Sequence, residues 1–347
     1  MLLLATDPVF AEHDTGPGHP EAPARLEAVA AGIACTGLGT DLVLLAPRRA
    51  TRAELERVHP GAHLDHLEAV CARGGHFDAD TPGSPGSWPA VLAAAGAGLA
   101  AVDALAAAGS GGPPASGAFL AVRPPGHHAR STQAMGFCLV NNVAIVASEL
   151  RSRGARVAIV DIDAHHGNGT QEIFYADPFV LYVSFHEWPL YPGTGRHDEI
   201  GAGAGVGTTC NLPLPAGATG DVYLRGLDQV VEPLLDRFQP DWLLISAGFD
   251  AHRKDPLTGL ELTAGDYRTL VGRLLHAAPT GRTITFLEGG YSPTGLRDSV
   301  RATVPVLAGD DPKPLADREL PGEGSTAGGP GDRVIDVAAA LWRDQLS

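Results

Sequence analysis

The chain has 347 residues, enough for one large α/β domain or two smaller ones with a sizeable buried core. At 44% apolar and 19% charged residues, with 44 glycines and 28 prolines, it has the composition of a soluble globular protein with long ordered loops. Its formal charge of −15 argues against wrapping a phosphate backbone, which needs a basic face, and suits a neutral or cationic small substrate.

Residues 1–5 read as a short first strand, since they lack the basic start and small-residue cleavage site of a secretory leader. Apolar runs at 118–122, 157–163, 180–185, 242–246 and 283–288 predict further strands. Most are apolar on both faces and alternate with helix-like segments, the pattern of a doubly wound α/β protein with a buried parallel sheet. Helical composition marks 88–108, 137–151, 221–238 and 263–276, with Asp221 and Thr263 as N-caps. Residues 309–332, rich in Gly, Pro and charge, predict an exposed linker before an amphipathic helix over 334–346. No apolar run approaches the roughly 18 residues of a membrane span, so a cytoplasmic protein is expected. Cys35, Cys71, Cys138 and Cys210 are too sparse for a disulfide framework or a thiolate metal cluster.

The chemistry concentrates where these strands end. The run 157–169 closes on Asp161, Asp163, His165, His166 and a Gly167-Asn168-Gly169 turn, and strand alternation would send Asp161, Asp163 and His165 to one side. Similarly, 118–122 leads into Arg123-Pro124-Pro125-Gly126-His127-His128, 242–246 into Gly248-Phe249-Asp250, and 283–287 into Glu288-Gly289-Gly290-Tyr291. Ligands in open parallel sheets bind outside the carboxyl ends of the strands. Asp163, His165 and Asp250 make a three-donor set that leaves a position open, as catalytic zinc requires. A calcium loop over Asp161, Asp163 and Glu172 is a weaker alternative, because His166 occupies the place of the required glycine. The rigid Pro-Pro-Gly can aim both imidazoles at one site, where neutral imidazole serves as a general base, with Asp161 and Asn168 as tautomer-fixing partners. Tyr291 can donate to an oxyanion, and Phe137 and Tyr191 can wall a narrow apolar tunnel.

With these motifs assembled, and with Gly18-His19-Pro20-Glu21, Gly136-Phe137-Cys138, Tyr191-Pro192-Gly193-Thr194-Gly195 and Asp255-Pro256-Leu257 beside them, the chain resembles the zinc-dependent histone deacetylase and acetylpolyamine amidohydrolase superfamily, nearest its class II-like bacterial deacetylases. The likeness covers roughly residues 10–305. It implies a three-layer α/β/α fold around a mostly parallel sheet, arginase/deacetylase-like, as a single domain. Residues 1–308 would form the deacetylase catalytic domain, with 309–347 as a linker and a C-terminal helix packed on or appended to it. It further implies zinc on Asp163, His165 and Asp250, His128 as general base and acid, and His127 as its electrostatic partner, paired with Asp161. Asn168 stands where class I members carry aspartate. Tyr291 would donate to the oxyanion, while Phe137, Gly136 and Tyr191 would flank an acyl-lysine channel with Leu257 and the rim aspartate Asp80 at its mouth. Phenylalanine is commoner than tyrosine at the position of Tyr191. Arg25 would line an internal acetate exit, and Asp161, Asp163, His165, Ser184 and Phe185 would hold potassium.

The activity implied is hydrolysis of the acyl group from N-ε-acyl-lysine in proteins or peptides by metal-activated water. Three alternatives are an acetylpolyamine amidohydrolase, a two-manganese ureohydrolase and a non-catalytic acyl-lysine binding module. The expected partners are acetylated substrates, with no nucleic acid and no membrane.

Overall fold

A computed structural model describes residues 1–108, 115–315 and 319–346 of the chain. Residues 316–318 of the predicted linker and the terminal residue 347 lie outside the described residues.

Alternate residues of the buried strands enter two different cores. On β6 (Val157–Asp161), Val157 and Ile159 pack on one face of the sheet, and Ala158 and Val160 on the other. On β5 (Gly117–Leu120), Ala118 and Leu120 likewise face away from Phe119. Two apolar faces per strand explain the continuous hydrophobic runs, because both faces are covered by helices.

The remaining strands are β1 (Leu2–Ala5), β2 (Leu42–Leu45), a small antiparallel pair β3 (Gly75–His76) and β4 (Pro82–Gly83), β7 (Val180–Glu187), β8 (Thr209–Leu214), β9 (Trp242–Ala247) and β10 (Thr283–Leu287). Eight of them form one sheet in the order β2-β1-β5-β10-β9-β6-β7-β8, and every pairing in it is parallel. Helices Ser87–Ala108 and Asn142–Ser152 cover one face. Helices Ala24–Ala34, Ala264–Leu274 and Pro293–Leu307 cover the other, giving the three-layer α/β/α arrangement. The order has one consequence for chemistry: β5, β10, β9 and β6 are consecutive neighbours at the middle of the sheet. Their carboxyl ends carry the four motif-bearing loops, so residues as far apart in sequence as Gly126 and Glu288, 162 positions, meet on one rim.

Several predicted bounds shift for local reasons. The second helix begins at Asn142, capped by the Asn141 side chain, and not at 137. Phe137 has φ 67°, and a Met135–Cys138 bridge holds this stretch as a turn. The cap of the helix at 220 is Thr219; Asp221 sits in the first turn, where its carboxylate accepts from Thr219 Oγ1 and Gly328 N. Thr263 does cap its helix, in a capping box with Asp266. The helices Ala24–Ala34 and Gly61–Arg73 and the strands β2 and β8 were not foreseen. Contrary to the expectation of no membrane-length run, Ser87–Ala108 is long and apolar enough to cross a bilayer by length and composition alone. It packs instead as a core helix, because its small side chains let it lie close against Val146 and Phe286 at Gly98. The C-terminal helix Asp332–Leu346 buries Ile335, Ala338, Ala339 and Trp342 in the core that also holds Tyr223 and Leu227.

Candidate active site

Strand β6 stops at Asp161, two residues earlier than its apolar pattern suggests, so alternation along a strand does not place Asp163 and His165. A backbone turn does. Asp163 N donates to Asp161 Oδ1 (3.2 Å), and His165 N donates to Asp163 Oδ1 (2.8 Å). Asp250, after β9, accepts the amide of Ala164 (2.8 Å), and Asp163 Oδ2 accepts that of Gly289, after β10 (2.8 Å). Three strand ends are thereby tied together by two carboxylates.

The same residues converge on one point. His165 Nδ1 lies 3.2 Å from Asp163 Oδ1 and 3.0 Å from Asp250 Oδ2, and donor atoms of all three lie within 4.8 Å of one another. All three side chains are buried. Close backbone passage is required around them: a Cβ on Gly248 would sit 2.0 Å from Asp163 Oδ2, and one on Gly289 would sit 2.2 Å from Asp250 Oδ2. Electrostatically the cluster is short of positive charge. Burial and the adjacent Asp163 push Asp250 up to about 7, whereas His165 is driven well above its ordinary value by the two carboxylates despite burial. Two oxygen donors and one imidazole facing a common point fit a divalent ion of the zinc type.

The histidine pair lies alongside, with ring centroids 4.0 Å apart. His127 Nδ1 donates to Asp161 Oδ2 (3.0 Å), and Tyr182 Oη also donates to that oxygen (3.2 Å). His128 Nδ1 donates to Asn168 Oδ1 (2.9 Å), whose Nδ2 faces Met135 Sδ (3.4 Å). With Nδ1 carrying the hydrogen, His128 has its Nε2 lone pair free. Burial, His127 and His165 hold His128 well below the ordinary histidine value. Burial works in the same direction on His127, but Asp161 and Asp163 outweigh it and raise His127 to about 10.

A cavity of about 400 Å³ leads to this centre, and of the two histidines only His128 lines it. His165 and Tyr291 share its floor, Gly136, Phe137 and Tyr191 its walls, and His19, Asp80, Leu190 and Leu257 its mouth. Tyr191 stands edge-on to His128 (5.1 Å, 88°), and Phe137 edge-on to Tyr291 (5.8 Å, 86°). Gly136, at φ +56°, passes so near the His128 ring that a Cβ would lie 2.5 Å from His128 Cδ2.

The histone deacetylase domain model matches residues 19–307. The chain belongs to the histone deacetylase family. It is similar to a probable deacetylase of Archaeoglobus fulgidus, with 40% identity across 82% of this chain and 80% of that protein. It is similar also to a histone deacetylase-like amidohydrolase of Pseudomonas aeruginosa, at 35% identity over 84% of this chain and 77% of that one. Among solved structures, the crystal structure of an HDA15 HD domain superposes with a TM-score of 0.86 at 33% identity, covering 99% of this chain and 96% of that one. The family likeness read from the motifs, the α/β/α deacetylase fold and a hydrolase of the deacetylase kind all follow.

The motif residues converge in this family member, although a backbone turn and not strand alternation brings Asp163 and His165 together. Glu172 pairs with Arg130 and Ser131 at the surface, away from Asp161 and Asp163, so the calcium-loop alternative has no site. Arg25 spends its guanidinium on Glu21, Glu288 O and Gly290 O, with its carbon 5.1 Å from the Tyr291 ring centroid. It braces the tyrosine loop. Other contributors carried no periodic or ligand-like signal and had no assigned role: Asp255, whose carboxylate accepts the amides of Tyr291, Ser292 and Leu257, and His19, whose Nε2 donates to Asp80 O at the mouth.

Proposed function

We propose that the chain is a zinc-dependent amidohydrolase removing acetyl or other acyl groups from the N-ε amide of lysine in proteins or peptides. The observation that carries this reading is that His128, its Nδ1 engaged by Asn168, lines an aromatic-walled cavity together with His165 of the Asp163, His165 and Asp250 cluster. Zinc held by Asp163, His165 and Asp250 would supply Lewis acidity, polarising an amide carbonyl and lowering the pKa of water toward about 7.

The chain's own residues account for the rest. Phe137 and Tyr191 accept an extended aliphatic chain between them and exclude water from it. His128, neutral at pH 7 and oriented by Asn168, takes the proton of the attacking water on Nε2 and returns it to the departing amine. His127, charged and held by Asp161, lowers the basicity of His128 so that this proton is given up readily. The Tyr291 hydroxyl donates to the oxyanion; burial keeps its phenol protonated far above neutral pH. Potassium on Asp161, Asp163, His165, Ser184 and Phe185 belongs to the same proposal, supported by Asp161 and Ser184 being register partners on β6 and β7. So do a cytoplasmic location and a catalytic domain spanning 1–308.

Acetylpolyamine hydrolysis is the second reading. Asp80 at the mouth, with Asp78 beside it, favours a cationic substrate of that kind. Zinc-loaded protein assayed against acetyl-lysine peptides, longer acyl-lysine peptides, N-acetylputrescine and N-acetylspermidine separates the two. Turnover of peptides supports the first reading, and turnover of polyamines alone replaces it with the second.

A further inference from the structure

Glu288 is a buried carboxylate at the end of β10 for which the mechanism above has no use. It is 1% exposed and does not line the substrate cavity. Its Oε2 accepts the backbone amides of Gly126 (2.7 Å) and His127 (3.2 Å), and Ser246 Oγ on β9 donates to its Oε1 (3.3 Å). Its main chain is equally engaged: N donates to Ala247 O (3.1 Å), and O accepts from Arg25. One side chain thus joins the ends of β9 and β10 to the loop that follows β5, at the residue that begins the histidine pair.

We propose that Glu288 is a positioning residue for the His127–His128 pair, fixing the loop backbone so that His128 Nε2 faces the reacting centre. Amides buried in the interior without an acceptor cost about 1–3 kcal/mol each, so the loop would rearrange to satisfy them if Glu288 were truncated. The rearrangement would move the imidazoles, since His128 follows directly on the bonded amide. A displacement of about 1 Å in a catalytic group costs on the order of 100-fold in rate.

A second metal site is the rival explanation, because donor atoms of His127, Cys138 and Glu288 also lie within 4.8 Å of one another. The chemistry speaks against it. Glu288 Oε2 is committed to two amides and its Oε1 to Ser246 Oγ, and burial drives the Cys138 thiol well above its ordinary value, which withholds the thiolate that a metal needs.

The proposal rests on the amidohydrolase reading, and its test separates the two. Zinc-loaded wild type, Glu288→Ala and Glu288→Gln are compared for kcat and KM on the best N-acyl substrate, for zinc per chain, and for the imidazole NMR resonances of His127 and His128. Glu288→Ala is expected to lose about 10- to 100-fold in kcat with KM within about twofold, zinc content unchanged and both imidazole resonances shifted. Glu288→Gln, whose amide oxygen can accept the same two N–H groups, is expected to recover to within about fivefold of wild type, with the resonances restored. Should Glu288→Ala not fold, Glu288→Asp, one methylene short of the amides, takes its place with the same expectation. Unchanged kcat in the truncated variant, failure of Gln to rescue, or parallel loss of a second metal ion would each overturn the proposal. A wild type inactive on every N-acyl amide would overturn the amidohydrolase reading instead, and the imidazole resonances alone would then decide the role of Glu288.

Discussion

The carboxylate of Asp255 accepts the backbone N–H of Tyr291 at 2.6 Å. The same carboxylate accepts the amides of Ser292 (3.2 Å) and, through its other oxygen, Leu257 (3.0 Å), so two residues that line the cavity, Tyr291 and Leu257, hang on one buried side chain. Asp255→Ala leaves all three amides without their acceptor. We expect kcat/KM to fall roughly 10- to 100-fold as Tyr291 loses its placement, with zinc retained. Steady-state kinetics with metal analysis on the same samples checks this.

Tyr291→Phe deletes the hydroxyl while keeping the ring that packs against Phe137. Loss of one oxyanion donor costs about 100- to 1000-fold in turnover, and the expected loss is in kcat with little change in KM. Full activity on an acetyl-lysine peptide would remove Tyr291 from the mechanism.

Asp250→Ala removes one of the three donors and leaves Asp163 and His165 facing an unfilled position. Zinc content after dialysis should fall below about a tenth of an ion per chain, and activity with it. Stoichiometric zinc in the variant would rule Asp250 out as a ligand.

The acid stability of the fold is set in part by Glu21, buried between Arg123 and Arg25. Burial alone would raise its pKa, but the two guanidiniums and His13 outweigh that and lower it from 4.5 to about 2. A carboxylate depressed in the folded state contributes stability in full above the unfolded value, and loses it as pH falls through the folded value. Glu21 therefore contributes on the order of 3 kcal/mol at neutral pH, withdrawn between about pH 4.5 and pH 2. Glu21→Gln should cost about 3–5 kcal/mol at pH 7, because it leaves buried guanidiniums unpaired, and the gap to wild type should narrow toward pH 2. Urea unfolding across this range measures the gap.

The central strands and the cluster of Asp163, His165 and Asp250 were legible because their signals are local. A strand buried on both faces must be apolar throughout, and Asp163, His165 and Asp250 stand at the ends of such runs. What escaped detection depends on tertiary partners. The helices at 24–34 and 61–73 and the edge strand β2 carry weak periodicity of their own; the first is held against the helix Pro293–Leu307, the second against the helix Ser87–Ala108, and β2 by pairing with β1. The helix expected from 137 starts five residues late because the cavity wall needs Phe137 in a left-handed turn, a demand set by His128 and not by local composition. Glu288 and Asp255 were visible within motifs, but a carboxylate that serves backbone amides looks the same in sequence as one that serves a metal.

Zinc binding at this centre is tested most directly by an anomalous-scattering map of zinc-saturated crystals, recorded on either side of the zinc edge. One zinc peak per chain is expected, enclosed by Asp163, His165 and Asp250 at the foot of the cavity walled by Phe137 and Tyr191. A peak elsewhere, a pair of ions at the centre, or no ion between those three side chains would contradict it.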